Sequence, residues 1–167
     1  RDNFSGLLAD EQLAYLQKHP LSTELEARER TISVLFIDVI GFSAAAETLT
    51  PRAAFSCLKD LLGWVGDHIT AHGGVVDRTL GDGLLAYFGY QIDRDFTVPD
   101  HAERALRCAL EIQKENVRRS LENADGSQPL MPLRIGINTA SCFVGNLGTS
   151  DRIDLTIVGN GVNYAKR

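Results

Sequence analysis

Cysteine is scarce in this chain and poorly placed for its usual structural roles. Cys57, Cys108 and Cys142 are the only three among 167 residues, far apart and outside any CxxC spacing. That odd, scattered set argues against a disulfide framework or a zinc site, and a reducing compartment is expected. The ordinary role of such residues is as small buried apolar groups. Positive charge is also short, with 17 Lys plus Arg against 22 Asp plus Glu and a formal net charge of −5. A protein that grips a nucleic-acid polymer needs a concentrated basic field, so that class of partner is disfavoured. Long hydrophobic runs are missing too. The longest, Ile32 to Phe42, contains Asp38 and falls well short of the ~20 residues that span a bilayer. No signal peptide, internal repeat or low-complexity segment is visible. The chain opens on Arg1 rather than Met, which is read as a piece of a longer protein with room upstream for a sensor or membrane module.

What is present suffices for one globular domain. The chain is 44% hydrophobic, and a domain of this length buries roughly 70% of its unfolded surface without disulfides or a structural metal. Residues 1–30 stand apart: Leu7, Leu8, Leu13 and Leu16 form a loose helical pattern that Pro20 interrupts, and the polar run Thr23 to Arg30 follows as a connector. Thr31 to Asp38 is β-branched and apolar on both faces, the pattern of a buried central strand. A short helix from Ser43 to Thr48 is expected next. Thr50 then caps a longer helix with Pro51 at its first position. The apolar residues Ala54, Phe55, Leu58, Leu61, Leu62, Val65 and Ile69 recur along it at three- and four-residue steps, and Gly73-Gly74 stops it. Val75 to Leu80 and Leu84 to Phe88 read as a hairpin around Gly81-Asp82-Gly83. Asp100 is expected to cap a helix through Leu121, with Ala105, Leu106, Ala109, Leu110, Ile112 and Val117 as its core stripe. Beyond a loop from Glu122 to Pro129, strands are expected at Leu133 to Asn138, Cys142 to Gly145 and Ile153 to Val158. Gly159-Asn160 then opens a helix still starting where the chain stops, read as a sign of further C-terminal structure. The order points to an α+β, ferredoxin-like (βαββαβ-type) sandwich with an antiparallel or mixed sheet.

Two carboxylates end up where chemistry can happen. Asp38 closes a buried strand and Asp82 sits at a hairpin tip, and a βαβ arrangement can set their strands side by side. Hard oxygen ligands suit magnesium, and the main-chain amides from Ile40 through Gly41 and Phe42 to Ser43 offer donors to phosphate oxygens. Each feature alone also has a bland reading, since Asp caps turns and Gly-Asp-Gly is a turn signal. His19, His68, His72 and His101 show no ligand spacing and read as surface or cap residues. Trp64 reads as a packing residue or a dimer contact.

The joint pattern is more specific. Phe36-Ile-Asp38-Val-Ile-Gly-Phe42, Leu80-Gly-Asp82, Leu133-Arg-Ile-Gly-Ile-Asn138 and Val158-Gly-Asn-Gly-Val-Asn163-Tyr-Ala-Lys-Arg167 together resemble the catalytic domain of class III adenylate and guanylate cyclases, over Thr31 to Arg167. The resemblance implies that Asp38, Asp82 and the carbonyl of Val39 hold two Mg²⁺ or Mn²⁺ ions. It implies that the amides from Ile40 to Ser43 receive the triphosphate, that Asn163 orients the ribose, and that Arg167 stabilises charge on the α-phosphoryl group. The implied reaction converts ATP to 3′,5′-cyclic AMP and pyrophosphate for signal transduction. Because one chain carries both half-sets, a homodimer with two composite sites is implied. The implied location is cytoplasmic.

The base-reading positions of that family, four residues before the second metal Asp and seven before the ribose Asn, are here Arg78 and Thr156. Thr156 fits a bacterial-type adenylate cyclase, whereas Arg78 replaces the usual Lys with a longer, planar cation. A surface pairing of Arg78 with Asp77 or Glu47 is the bland alternative. No acidic residue stands there for guanine, which disfavours GTP. Ala140 occupies a position that is often Gly in the family, and its triphosphate-binding Lys would lie past Arg167. Guanylate cyclase activity and a non-catalytic nucleotide-binding or dimerisation module are the alternatives. The Gly-Gly-Asp/Glu-Glu-Phe hairpin of diguanylate cyclases is missing.

Overall fold

The computed structural model describes residues 28–90, 98–123, 131–146 and 155–167. The leucine pattern before Pro20, His19, most of the Glu122 to Pro129 loop and Ile153 lie outside the described residues.

β1 (Arg28–Val39) is the central strand, and from Ile32 to Leu35 it is buried continuously on both faces. It starts at Arg28 rather than Thr31, so the last residues expected in the connector belong to the sheet. α1 (Phe42–Glu47) follows, then α2 (Pro51–Ala71), the hairpin β2 (Val75–Leu80) and β3 (Gly83–Phe88), α3 (His101–Glu122), β4 (Leu133–Asn146), β5 (Leu155–Val158) and α4 (Asn160–Ala165). The strand order is β2-β3-β1-β4-β5 with every pair antiparallel. Its first four members have the ferredoxin-like order, and β5 extends the far edge.

Two of the expected strands are one. Leu133 to Asn138 and Cys142 to Gly145 are joined through Thr139-Ala140-Ser141, because β1 supplies an unbroken ladder opposite them from Val39↔Leu133 to Arg28↔Val144. Ser33 Oγ also lies 2.6 Å from Thr139 Oγ1 and 2.8 Å from His101 Nδ1, so small polar residues there bond inside the fold. His101 is accordingly buried at the start of α3 and not a surface residue.

Thr50 caps α2 as expected: its hydroxyl accepts from the Ala53 N–H at 3.2 Å, with Pro51 next. Thr50→Ala is expected to cost about 1 kcal/mol, read as a lower urea midpoint with an unchanged m-value. Asp100 makes no side-chain cap; its carboxylate accepts instead from Arg104 Nε at 2.9 Å.

Hydrophobic cores lie on both faces of the sheet. On one, α2 and α3 bring Leu61, Val65, Ile69, Ala105, Cys108 and Ile112 onto Leu35, Ile37, Leu84 and Phe88. On the other, Val162 and Ala165 of α4 pack with Ile32, Val34, Leu85, Cys142 and Ile157. The core stripe expected on α3 is only half right. Ala105, Ala109 and Ile112 are buried, together with His101 and Cys108, whereas Leu106, Leu110 and Val117 are exposed, as is Phe55 of α2. Those leucines and Val117 lie on the opposite side of the helix at 100° per residue. All three cysteines are free, and burial pushes the Cys108 thiol up to about 12 and raises Cys142 also. Among the described residues, no helix is long and apolar enough to cross a membrane.

The sheet curls until its outer strands β2 and β5 touch. Arg78 Nη1 donates to Thr156 Oγ1 and Thr156 Oγ1 donates to Asp77 Oδ2, each at 3.0 Å, tying the two edges together.

Candidate active site

The antiparallel ladder brings the two sequence-distant carboxylates to one end of the sheet. Asp38 is paired with Gly83, the residue that follows Asp82, at the last step of the β1–β3 register. On its other side Asp38 is paired with Arg134 of β4, and their side chains form an ion pair. The Asp38 side chain is 18% exposed and that of Arg134 65%. Asp82 is half-buried in the turn. Val39 turns its side chain into the core, so its main chain is what it can offer at this end. Two carboxylates and a carbonyl are hard oxygen donors of the kind magnesium takes alongside substrate phosphates.

The connection after Asp38 presents main-chain donors. Gly41 has φ 72°, a left-handed conformation that disfavours any residue with a side chain, and it heads α1. The first bond of that helix runs from the Ala45 N–H to the Gly41 carbonyl at 3.1 Å, so the earlier amides have no acceptor within the helix. Ile40 departs from the expected set: its N–H is donated to the Pro132 carbonyl at 2.8 Å. That leaves Gly41, Phe42 and Ser43 as the donors. Phe42 anchors the segment by packing against the helix-side core.

Arg78 and Thr156 form a second group at the β2–β5 seam. A β-bulge in β2, where Val76 pairs with Ala86 but Arg78 with Leu85, makes Asp77 the extra residue and brings Asp77 and Arg78 to the same partner. The pairing of Arg78 with Asp77 does exist, at 3.5 Å, but it is joined to Thr156 rather than being a plain surface contact. The Asp77 side chain is fully buried, while Arg78 is 44% exposed. Burial, and next the Asp77 carboxylate, raise the Tyr87 phenol far above its usual range.

Asn163 and Arg167 make a third group. Both are exposed, on and just after α4, and the Arg167 guanidinium lies 5.6 Å from the Tyr164 ring centre. α4 sits close on β4: Asn138 Nδ2 donates to the Gly161 carbonyl at 2.9 Å, and the Ala140 methyl faces Gly161. Among the described residues, no hydrogen bond or ion pair joins Asn163 or Arg167 to Asp38 or Asp82. The structure therefore assembles the expected residues into three groups, each held by a different part of the sheet. Arg134 belongs to these groups and was missed in the sequence, whereas Asp77 was read there only as a surface partner of Arg78. A charged residue inside the apolar run Leu133 to Ile137 was the available signal for Arg134; nothing local pointed to the burial of Asp77 or to its bond with Thr156.

Comparison with known proteins adds three findings. The profile of the family described as the adenylate and guanylate cyclase catalytic domain matches residues 25–167. An adenylate cyclase of Anabaena cylindrica is 32% identical over 84% of this chain, which spans 27% of that protein's length. Among solved structures, the guanylyl cyclase Cya2 is 32% identical with a TM-score of 0.75, covering 84% of this chain and 69% of its own. The adenylyl cyclase CyaB from P. aeruginosa is also 32% identical, with a TM-score of 0.74 over 86% of this chain and 72% of its own.

Proposed function

The chain belongs to the adenylate and guanylate cyclase catalytic-domain family, and from that premise we propose that it converts ATP to 3′,5′-cyclic AMP and pyrophosphate. The observation that carries the reading is the Asp38↔Gly83 register, which sets two carboxylates at one sheet end beside unspent main-chain donors. Asp38, Asp82 and the Val39 carbonyl would hold two Mg²⁺ or Mn²⁺ ions. When bound there, such ions acidify the ribose 3′-hydroxyl and offset triphosphate charge.

The chain's own residues do the rest. The Gly41, Phe42 and Ser43 amides receive phosphate oxygens. The exposed Arg134 guanidinium, held by Asp38, stands where further phosphate charge arrives. Arg78 and Thr156 face the adenine edge. Asp77 is buried and engaged by both of them, so it offers no carboxylate to the guanine N1 and N2 hydrogens. Asn163 orients the ribose and Arg167 neutralises charge growing on the α-phosphoryl oxygens. In a head-to-tail homodimer, the exposed Asn163 and Arg167 of one copy serve the Asp pair of a second. The residues before β1 act as the connector from an upstream sensor or membrane module, and the free cysteines suit a cytoplasmic location. Equal identity to a guanylyl and an adenylyl cyclase motivates the competing reading of GTP as substrate.

The test incubates the purified chain with ATP or GTP and Mg²⁺ or Mn²⁺ across a protein dilution series. Cyclic AMP as main product, rising faster than linearly with protein, is the expected result. Cyclic GMP as main product would overturn the base assignment, and a rate linear in protein down to the lowest concentrations would overturn the dimeric site.

A further inference from the structure

We propose that Asp77 determines the base preference of this site by fixing the polarity of the Thr156 hydroxyl. The inference rests on the adenylate cyclase reading and adds a specificity residue to it.

A threonine hydroxyl is amphoteric and by itself discriminates poorly between a hydrogen-bond donor and an acceptor. Here both of its neighbours have one possible role. A carboxylate only accepts and a guanidinium only donates. Thr156 Oγ1 lies 3.0 Å from Asp77 Oδ2 and 3.0 Å from Arg78 Nη1. The hydroxyl proton is therefore committed to Asp77, and one lone pair takes an Arg78 proton. What Thr156 has left to offer a base is an acceptor.

Arg78 retains further N–H donors and is 44% exposed, whereas Thr156 is buried to 3%. Side by side, the pair presents a donor next to an acceptor. Adenine presents the complement, the N1 acceptor beside the N6 amino donor. Guanine and hypoxanthine present the reverse, an N1–H donor beside the O6 acceptor. A base of the wrong polarity sets donor against donor and acceptor against acceptor, and buried polar groups left unpaired are what makes such sites discriminating.

The backbone is built to hold this arrangement. The bulge at Asp77 sends two consecutive side chains to one partner, which a regular strand, alternating its faces, would not do. Asp77 is also held by Arg78 Nε at 3.5 Å, so the buried carboxylate keeps a compensating charge.

The test compares kcat/KM for ATP and for inosine triphosphate, which differs from ATP at the 6-position and N1 but lacks the 2-amino group of GTP. In Asp77→Asn the side-chain amide can donate to Thr156 Oγ1 and release its proton toward O6. The ATP preference is expected to fall by about 10-fold or more, with loss on ATP and gain on inosine triphosphate. Thr156→Ser should keep the preference. Thr156→Val should lose it, and adding Asp77→Asn to Thr156→Val should change it no further. Asp77→Ser, which can donate or accept, provides a second variant with an intermediate ratio should Asp77→Asn not fold. An unchanged ratio in Asp77→Asn or Asp77→Ser, with both nucleotides falling together, would overturn the inference while leaving the substrate reading intact. A parent enzyme that prefers inosine triphosphate or GTP would overturn the substrate reading and the polarity argument with it. If turnover is too slow to measure, the ratio of equilibrium affinities for the two nucleotides is read by the same criteria.

Discussion

Asp38→Asn is expected to lower cyclic-nucleotide formation by about 10³-fold or more while shifting the melting temperature by only a few degrees. The substitution keeps the shape of the side chain and every ladder bond of β1, because its pairings with Gly83 and Arg134 are backbone register. What it removes is the charge on which a divalent cation depends, and with it one end of the ion pair with Arg134. That pair is largely exposed on the Arg134 side, so its loss should weigh little on folding. The base contacts and the main-chain donors to the triphosphate survive, and the fall belongs in kcat more than in KM. The three-group layout makes a sharper version possible. Mixing inactive Asp38→Asn with inactive Arg167→Ala should restore about a quarter of parental activity, since half the dimers are mixed and each mixed dimer holds one intact site of two. No recovery on mixing, with dimers shown to exchange, would sink the composite site.

The second large effect is expected at Gly136, which faces Phe36 two steps along the β1–β4 ladder from Asp38. A Cβ there would stand 1.9 Å from the Ala165 carbonyl oxygen. Backbone is the obstacle, and no flexible side chain can move aside. Gly136→Ala should therefore exceed the usual 1–3 kcal/mol of an overpacked core, reaching about 3–5 kcal/mol, or roughly 6–20 °C in melting temperature at this domain size. The alternative route of relief is for α4 to lift from β4, and then Asn163 and Arg167 leave their places. Activity should fall by about 10²-fold or more in either case. The measurement is a thermal melt paired with the cyclase assay; a variant that melts like the parent and works like it would show that α4 does not need this close seat.

Much of the scaffold was readable in the sequence because its signals are local. Thr50-Pro51, Gly73-Gly74 and Gly81-Asp82-Gly83 punctuate the chain, and the elements they bound appear where expected. Asp38 and Asp82 were singled out as a strand-end and a turn carboxylate, and placing their strands side by side was a topological expectation that the β1–β3 register fulfils. What was not readable depends on distant partners. Thr139 to Ser141 look like a break until Thr31 to Ser33 are seen opposite them. Leu106, Leu110 and Val117 look like core until the other stripe of α3 is found on the sheet. His101 looks like a surface cap until Ser33, from a strand far earlier in the chain, closes on it. Asp77 has no local signature because a bulge is a property of a strand pair, and its role depends on a strand at the opposite edge of the sheet.

The seam between β2 and β5 is made of side chains alone, since these strands sit at opposite ends of the hydrogen-bonded order. Exchanging Asp77, Arg78 or Thr156 therefore alters no ladder bond and leaves the Asp38–Asp82 end of the sheet in place. Evolution can rewrite the letter such a site reads without reopening the chemistry it performs.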